Sequence, residues 1–166
     1  MKNIMFVGAH PDDCDFGCGG MALKFVDAGH RVLFLSMTDG RLGHHINPSP
    51  FKADVAINID DVMEKKTAML NCHVSQVYEW LPYVESYADD VPPAEDEKGR
   101  FSFLKTKLEG RDAKAADYCR ELLLRQYGKE KGNAIMYCEA MQLCEYGAQP
   151  AKGDISDIFT GDSYAR

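Results

Sequence analysis

The first 38 residues constrain the fold more than any other part of the chain. Ile4 to Ala9 is a continuous apolar run of β formers, which reads as a buried strand. From Asp15 to Ala28 apolar residues recur at 16, 22, 23, 25 and 26, with Gly29 in the usual stop position, and this is a helix. Arg31 to Thr38, centred on Val32-Leu33-Phe34-Leu35, is a second buried strand ending at Asp39-Gly40. Strand, helix and strand in so short a span make a βαβ unit, whose strands run parallel. Ligands of such units lie at the carboxyl ends of the strands. His10-Pro11-Asp12-Asp13 and Thr38-Asp39-Gly40 both fall at that edge.

The remaining periodicities are weaker. Asp54 to Ile59 is a third strand candidate, and Asp61 with Glu64 has the spacing of a capping box before a long helix to about Leu81. The apolar stripe of that helix runs through Val62, Met69, Leu70, His73, Val77 and Leu81. Residues 83–100 read as a charged loop, and further helices are expected at about 113–127 and 133–146. The tail, residues 148–166, has no periodicity. With 166 residues the chain suits one domain, placed at 1–147.

A net charge of −7 argues against a nucleic-acid partner, which would need a basic face. No apolar run is long enough to span a bilayer. The N-terminus carries no secretory pattern, and the six cysteines show no CxxC spacing. A cytoplasmic protein with reduced thiols is therefore expected.

The chemistry concentrates in the first loop. Pro11 fixes its own φ and keeps His10 extended, so the loop is stiff. Neighbouring side chains of an extended segment point apart, so Asp12 and Asp13 can take different tasks. An imidazole from His10 and a carboxylate from Asp13 suit Zn²⁺, and the second carboxylate can accept a proton from a metal-activated water. That is the equipment for hydrolysing an amide or ester. Gly17, Gly19 and Gly20 do not form a phosphate loop, because two carboxylates stand where an anion would sit. Their expected task is close packing at the start of the helix. His73 reads as a satisfied packing histidine, Ser75 as a surface or packing hydroxyl, and Cys14, beside Asp13, as a reduced thiol rather than a ligand. His44 and His45 offer substitute ligands or substrate contacts.

Ala9-His10-Pro11-Asp12-Asp13, Gly17-Cys18-Gly19-Gly20, Thr38-Asp39-Gly40 and Gly43-His44 together resemble the opening of the PIG-L/LmbE family of zinc-dependent N-deacetylases. Asp60 to Lys66 with Leu70 to Gln76 is similar to the late strand and helix of that family, and Glu139-Ala140 with Cys144 to Gly147 to its C-terminal end. The resemblance implies a Rossmann-like three-layer α/β fold with a mainly parallel sheet. It implies His10 and Asp13 as metal ligands, Asp12 as general base, and His44 and Asp39 as substrate contacts. The substrate class is an N-acetylated, GlcNAc-type sugar conjugate. The family takes its third ligand from a His-Pro-Asp-His-type segment in mid-domain. Here the chain passes from His45 through Pro48 and Pro50 directly into the late strand, so the domain is shortened near 45–52, by about three βα units. That shortening raises a second expectation, a catalytically inactive relative acting as a binding or dimerisation module. Uncovered strand edges would then favour a homo-oligomer.

Overall fold

A computed structural model describes residues 1–37 and 53–141 of the chain. Asp39, His44, His45, Cys144 and the tail 148–166 lie outside the described residues.

Strand β1 (Asn3–Gly8) pairs in parallel with β2 (Arg31–Ser36), in a register running from Asn3 opposite Arg31 to Gly8 opposite Ser36. Helix α1 (Asp13–Asp27) connects them and ends at Gly29, whose φ of +79° is the left-handed conformation that glycine adopts without cost. Period-two alternation divides the strands. Ile4, Phe6, Val32 and Phe34 pack towards Phe25 and the core, with the Phe6 and Phe34 rings edge to face at 5.6 Å. Met5, Val7, Leu33 and Leu35 point the other way and are exposed.

The third strand, β3 (Val55–Asn58), joins neither β1 nor β2. It pairs antiparallel with β4 (Cys138–Met141), from Val55 opposite Met141 to Asn58 opposite Cys138. The described residues therefore form a mixed α/β structure with two small sheets, one parallel and one antiparallel, where a mainly parallel sheet was expected. Backbone N–H groups of β3 donate to side chains of α5 (Arg120–Tyr127): Ala56 to Gln126 Oε1 at 3.0 Å and Asn58 to the Tyr127 hydroxyl at 3.1 Å. Side chains thus satisfy donors that another strand would otherwise take.

Three helix expectations need correction. The long helix from Asp61 breaks up. Asp60–Val62 is a 3₁₀ turn, α2 spans Met63–Leu70, a π turn covers Gln76–Trp80, and α3 is Leu81–Val84. Pro82 near the start of α3 has no N–H to continue the ladder, and the wide turn before it absorbs the mismatch. Asp61 makes no capping bond; its carboxylate instead takes Lys24 of α1 at 2.8 Å. The expected helix at 113–127 begins much earlier, as α4 (Glu97–Tyr118), because the Asp96 side chain caps it by accepting from the Gly99 N–H at 2.9 Å. Asp96 and Glu97, read as part of a charged loop, are a helix start. Where a helix at 133–146 was expected, α6 (Lys129–Ala134) ends and β4 follows, with Cys138 fully buried. A short apolar run there satisfies either period.

One buried ionic cluster ties these elements together. Lys66 of α2 is wholly buried, with its ammonium 2.7 Å from Asp112 of α4 and 2.9 Å from Glu139 of β4. Glu139 also accepts from the Gly20 and Met21 N–H groups, at 2.8 and 2.9 Å. Those two donors are free because α1 is interrupted at Cys18, where φ is −147°. The Glu139 carboxylate thus caps the second half of α1 from another element.

Close packing at the glycines falls on Gly20. A Cβ there would sit 2.6 Å from Ile59 Cγ2, whereas at Gly17 it would meet nothing within 4 Å. Gly20→Ala is expected to cost about 1–3 kcal/mol in urea denaturation, with Gly17→Ala harmless by comparison.

Candidate active-site loop

The loop between β1 and α1 owes its geometry to Gly8. A Cβ at Gly8 would lie 2.8 Å from Asp13 Cβ, so its absence lets the first turn of α1 fold against the strand end. Backbone bonds then close the turn: the Asp13 N–H donates to the His10 carbonyl at 3.3 Å and the Phe16 N–H to the Asp12 carbonyl at 3.0 Å. Beside it the Met37 N–H donates to the Gly8 carbonyl at 2.9 Å, bringing the end of β2 to the same edge.

His10 and Asp13 converge. Nδ1 of His10 lies 3.6 Å from Oδ2 of Asp13, and that oxygen also accepts the His10 backbone N–H at 2.8 Å. Two ligands of one tetrahedral Zn²⁺, with bonds of about 2.1 Å, stand roughly 3.4 Å apart. The pair therefore fits two corners of such a site. Among the described residues no group of three or more His, Cys, Asp or Glu side chains is arranged to hold a metal ion. Cys14 does not join the pair. It is buried in the hydrophobic core, and burial raises its thiol pKa above the ordinary cysteine value.

Asp12 stands at the N-cap of α1 yet makes no side-chain capping bond. It lines a cleft of about 800 Å³ together with Asp13 and Phe16. Val77 and Leu81 form part of the cleft lining, and Leu104 and Leu108 of α4 contribute further apolar surface. A carboxylate unused by the backbone, lining a cleft and next to an imidazole–carboxylate pair, can serve as a proton acceptor.

Sequence reasoning missed the partner of His73. Its Nε2 lies 2.7 Å from Oδ2 of Asp15, two positions beyond Asp13, so the packing histidine fastens the first turn of α1 to the segment after α2. Asp15 continues the acidic run of the loop, and this was the available signal. The α4 wall of the cleft had no sequence signal, since only tertiary packing brings it there.

Residues 5–131 match the PIG-L family, described as GlcNAc-PI de-N-acetylase. This chain belongs to the PIG-L family. Two curated relatives match shorter stretches. A diacetylchitobiose deacetylase from Thermococcus kodakarensis is 42% identical over 43 residues, covering 26% of this chain and 16% of the relative. A 1D-myo-inositol 2-acetamido-2-deoxy-alpha-D-glucopyranoside deacetylase from Kineococcus radiotolerans is 43% identical over 47 residues, covering 28% of this chain and 13% of the relative. These matches span less than a fifth of the length of either relative. No solved structure matches the chain. No described helix is long and apolar enough to cross a membrane.

Proposed function

We propose that the protein is a zinc-dependent hydrolase that removes the N-acetyl group from a GlcNAc-type amino-sugar conjugate. The observation that carries the reading is the convergence of His10 and Asp13 to 3.6 Å beside Asp12 at a cleft. Membership of the PIG-L family and two relatives named as deacetylases of acetylated sugars support it. In this reading β1, α1 and β2 open a shortened Rossmann-like three-layer fold.

His10 through its imidazole and Asp13 through its carboxylate would hold the cation. When bound, Zn²⁺ acidifies a water to a pKa of about 7 and polarises a carbonyl. Asp12 accepts the proton of the attacking water and passes it to the departing nitrogen. The amide C–N bond breaks, the water oxygen ends in acetate, and the sugar leaves as a free amine. His44 and Asp39, outside the described residues, are assigned to substrate contact.

A second reading, a non-catalytic module that dimerises, is favoured by one observation: Met5, Val7, Leu33 and Leu35 form an exposed apolar face on the β1–β2 sheet. Zinc loading followed by metal analysis and sedimentation separates the two. The hydrolase reading expects about one zinc per chain, with uptake falling at least about tenfold in His10→Ala and Asp13→Ala. A wild-type protein that stays metal-free and sediments as a dimer overturns it in favour of the module.

A further inference from the structure

The cleft has two electrostatically different sides. Asp12 and Asp13 occupy the loop side, and Lys107, Arg111 and Lys114 of α4 line it as well. Spacings of four and three residues put these cations on one helix face. The whole chain carries a charge of −7, so a row of three cations along one cleft departs from its background.

The three cations differ in how they are held. The Lys107 ammonium lies over the Tyr87 ring, 3.6 Å from its centroid, and 5.3 Å from that of Phe103. Arg111 stacks over Phe16 at 5.2 Å and donates to the Phe16 carbonyl, which fastens the row to the turn carrying Asp12 and Asp13. Its Nε lies 3.6 Å from Asp112, whose other oxygen is engaged by Lys66. Among the described residues neither Lys107 nor Lys114 has a carboxylate within ion-pair distance, whereas Lys105, off the cleft, pairs with Glu109. Glu85 is the remaining acid of the cleft lining. Lys107, held on aromatic rings, and Lys114 keep their field for a ligand, and Arg111 shares its own with Asp112.

We propose that Lys107, Arg111 and Lys114 form a subsite for an anionic substituent, a phosphate or carboxylate, carried by the sugar conjugate away from its acetamide. The inference rests on the hydrolase reading only for the identity of the sugar. The acetamide would lie at the aspartates and the anion against α4, fixing the substrate end to end. A neutral amino sugar would leave the cationic row solvated and gain nothing from it.

Calorimetric titration of the zinc-loaded protein at low salt tests this without requiring turnover. The probes are N-acetylglucosamine 1-phosphate, N-acetylmuramic acid, which carries a carboxylate, and the neutral methyl N-acetylglucosaminide. At least one anionic probe should bind about tenfold more tightly than the neutral one, and the stronger of the two identifies the anion. The preference should shrink as salt is raised. It should fall to about twofold or less in the double variant Lys107→Gln/Lys114→Gln, whose exposed positions leave the fold intact. Equal binding of all three probes, or a preference that survives the double variant, overturns the subsite. An intact preference without acetate release supports the subsite and counts against the hydrolase reading.

Discussion

Glu139→Ala is expected to lower stability by about 3–5 kcal/mol in urea denaturation, the loss found when one partner of a buried ion pair is removed. The magnitude follows from what the carboxylate does. It faces the wholly buried Lys66 ammonium at 2.9 Å and accepts the two N–H groups that the break in α1 leaves open. Without it, Lys66 keeps only Asp112, at 2.7 Å, and Gly20 and Met21 lose their acceptor. A small domain has about 5–15 kcal/mol to lose, so the variant should be close to unfolding at physiological temperature. Glu139→Gln keeps an acceptor without the charge and should fall between the two. A loss below about 1 kcal/mol in Glu139→Ala would show that the cluster does not hold α1, α2, α4 and β4 together.

The same carboxyl fixes the sign of a pH effect. Burial raises its pKa above the ordinary glutamate value, against the opposing pull of Lys66 and the two backbone donors. The folded state then holds the Glu139 proton more tightly than the unfolded chain does. Its contribution to stability is present in full below the unfolded value of about 4.5 and declines as pH rises through the folded value. Wild type should therefore lose stability relative to Glu139→Gln as pH is raised across that window.

How far the fold could be read from the residues depended on the range of the forces involved. The β1–α1–β2 opening was legible because its signals are local: two short apolar runs, a helical stripe and a glycine at φ +79°. The break at the π turn was not, since a continuous stripe from Val62 to Leu81 gives no sign that Pro82 forces a change of register. The start of α4 was misread because its first turns are charged and include Gly99, and the cap at Asp96 outweighs both. β4 was misread because its identity depends on pairing with β3, more than 70 residues earlier. The candidate site divides the same way. His10, Asp12 and Asp13 share one stiff loop and could be named from it. Lys107, Arg111 and Lys114 reach the cleft only through packing of α4 against α1 and α2.

Asp12→Asn should reduce deacetylation by a factor of about 10²–10⁴, the usual contribution of a positioned general base. Asparagine has the shape of aspartate, is an equally good residue at a helix N-cap, and cannot accept the proton. Because the Asp12 side chain makes no capping bond, stability should change by less than about 0.5 kcal/mol. Zinc content should match wild type, since His10 and Asp13 are untouched. That combination, a folded, metal-loaded and inactive protein, separates a proton-transfer role from a structural or ligating one. An Asp12→Asn protein that fails to fold or to take up zinc would assign the residue to one of those roles instead.

The proposed hydrolase reading requires His10 and Asp13 to hold a cation and Asp12 to act as base beside it on an acetylated amine. Acetate and free amine released from an N-acetylglucosamine conjugate by zinc-loaded wild type, each quantified over time, measure this directly. The two products should appear in equal amounts and cease to appear when the zinc is chelated. A folded, zinc-loaded protein that releases neither would contradict the assignment of this loop as a working deacetylase centre.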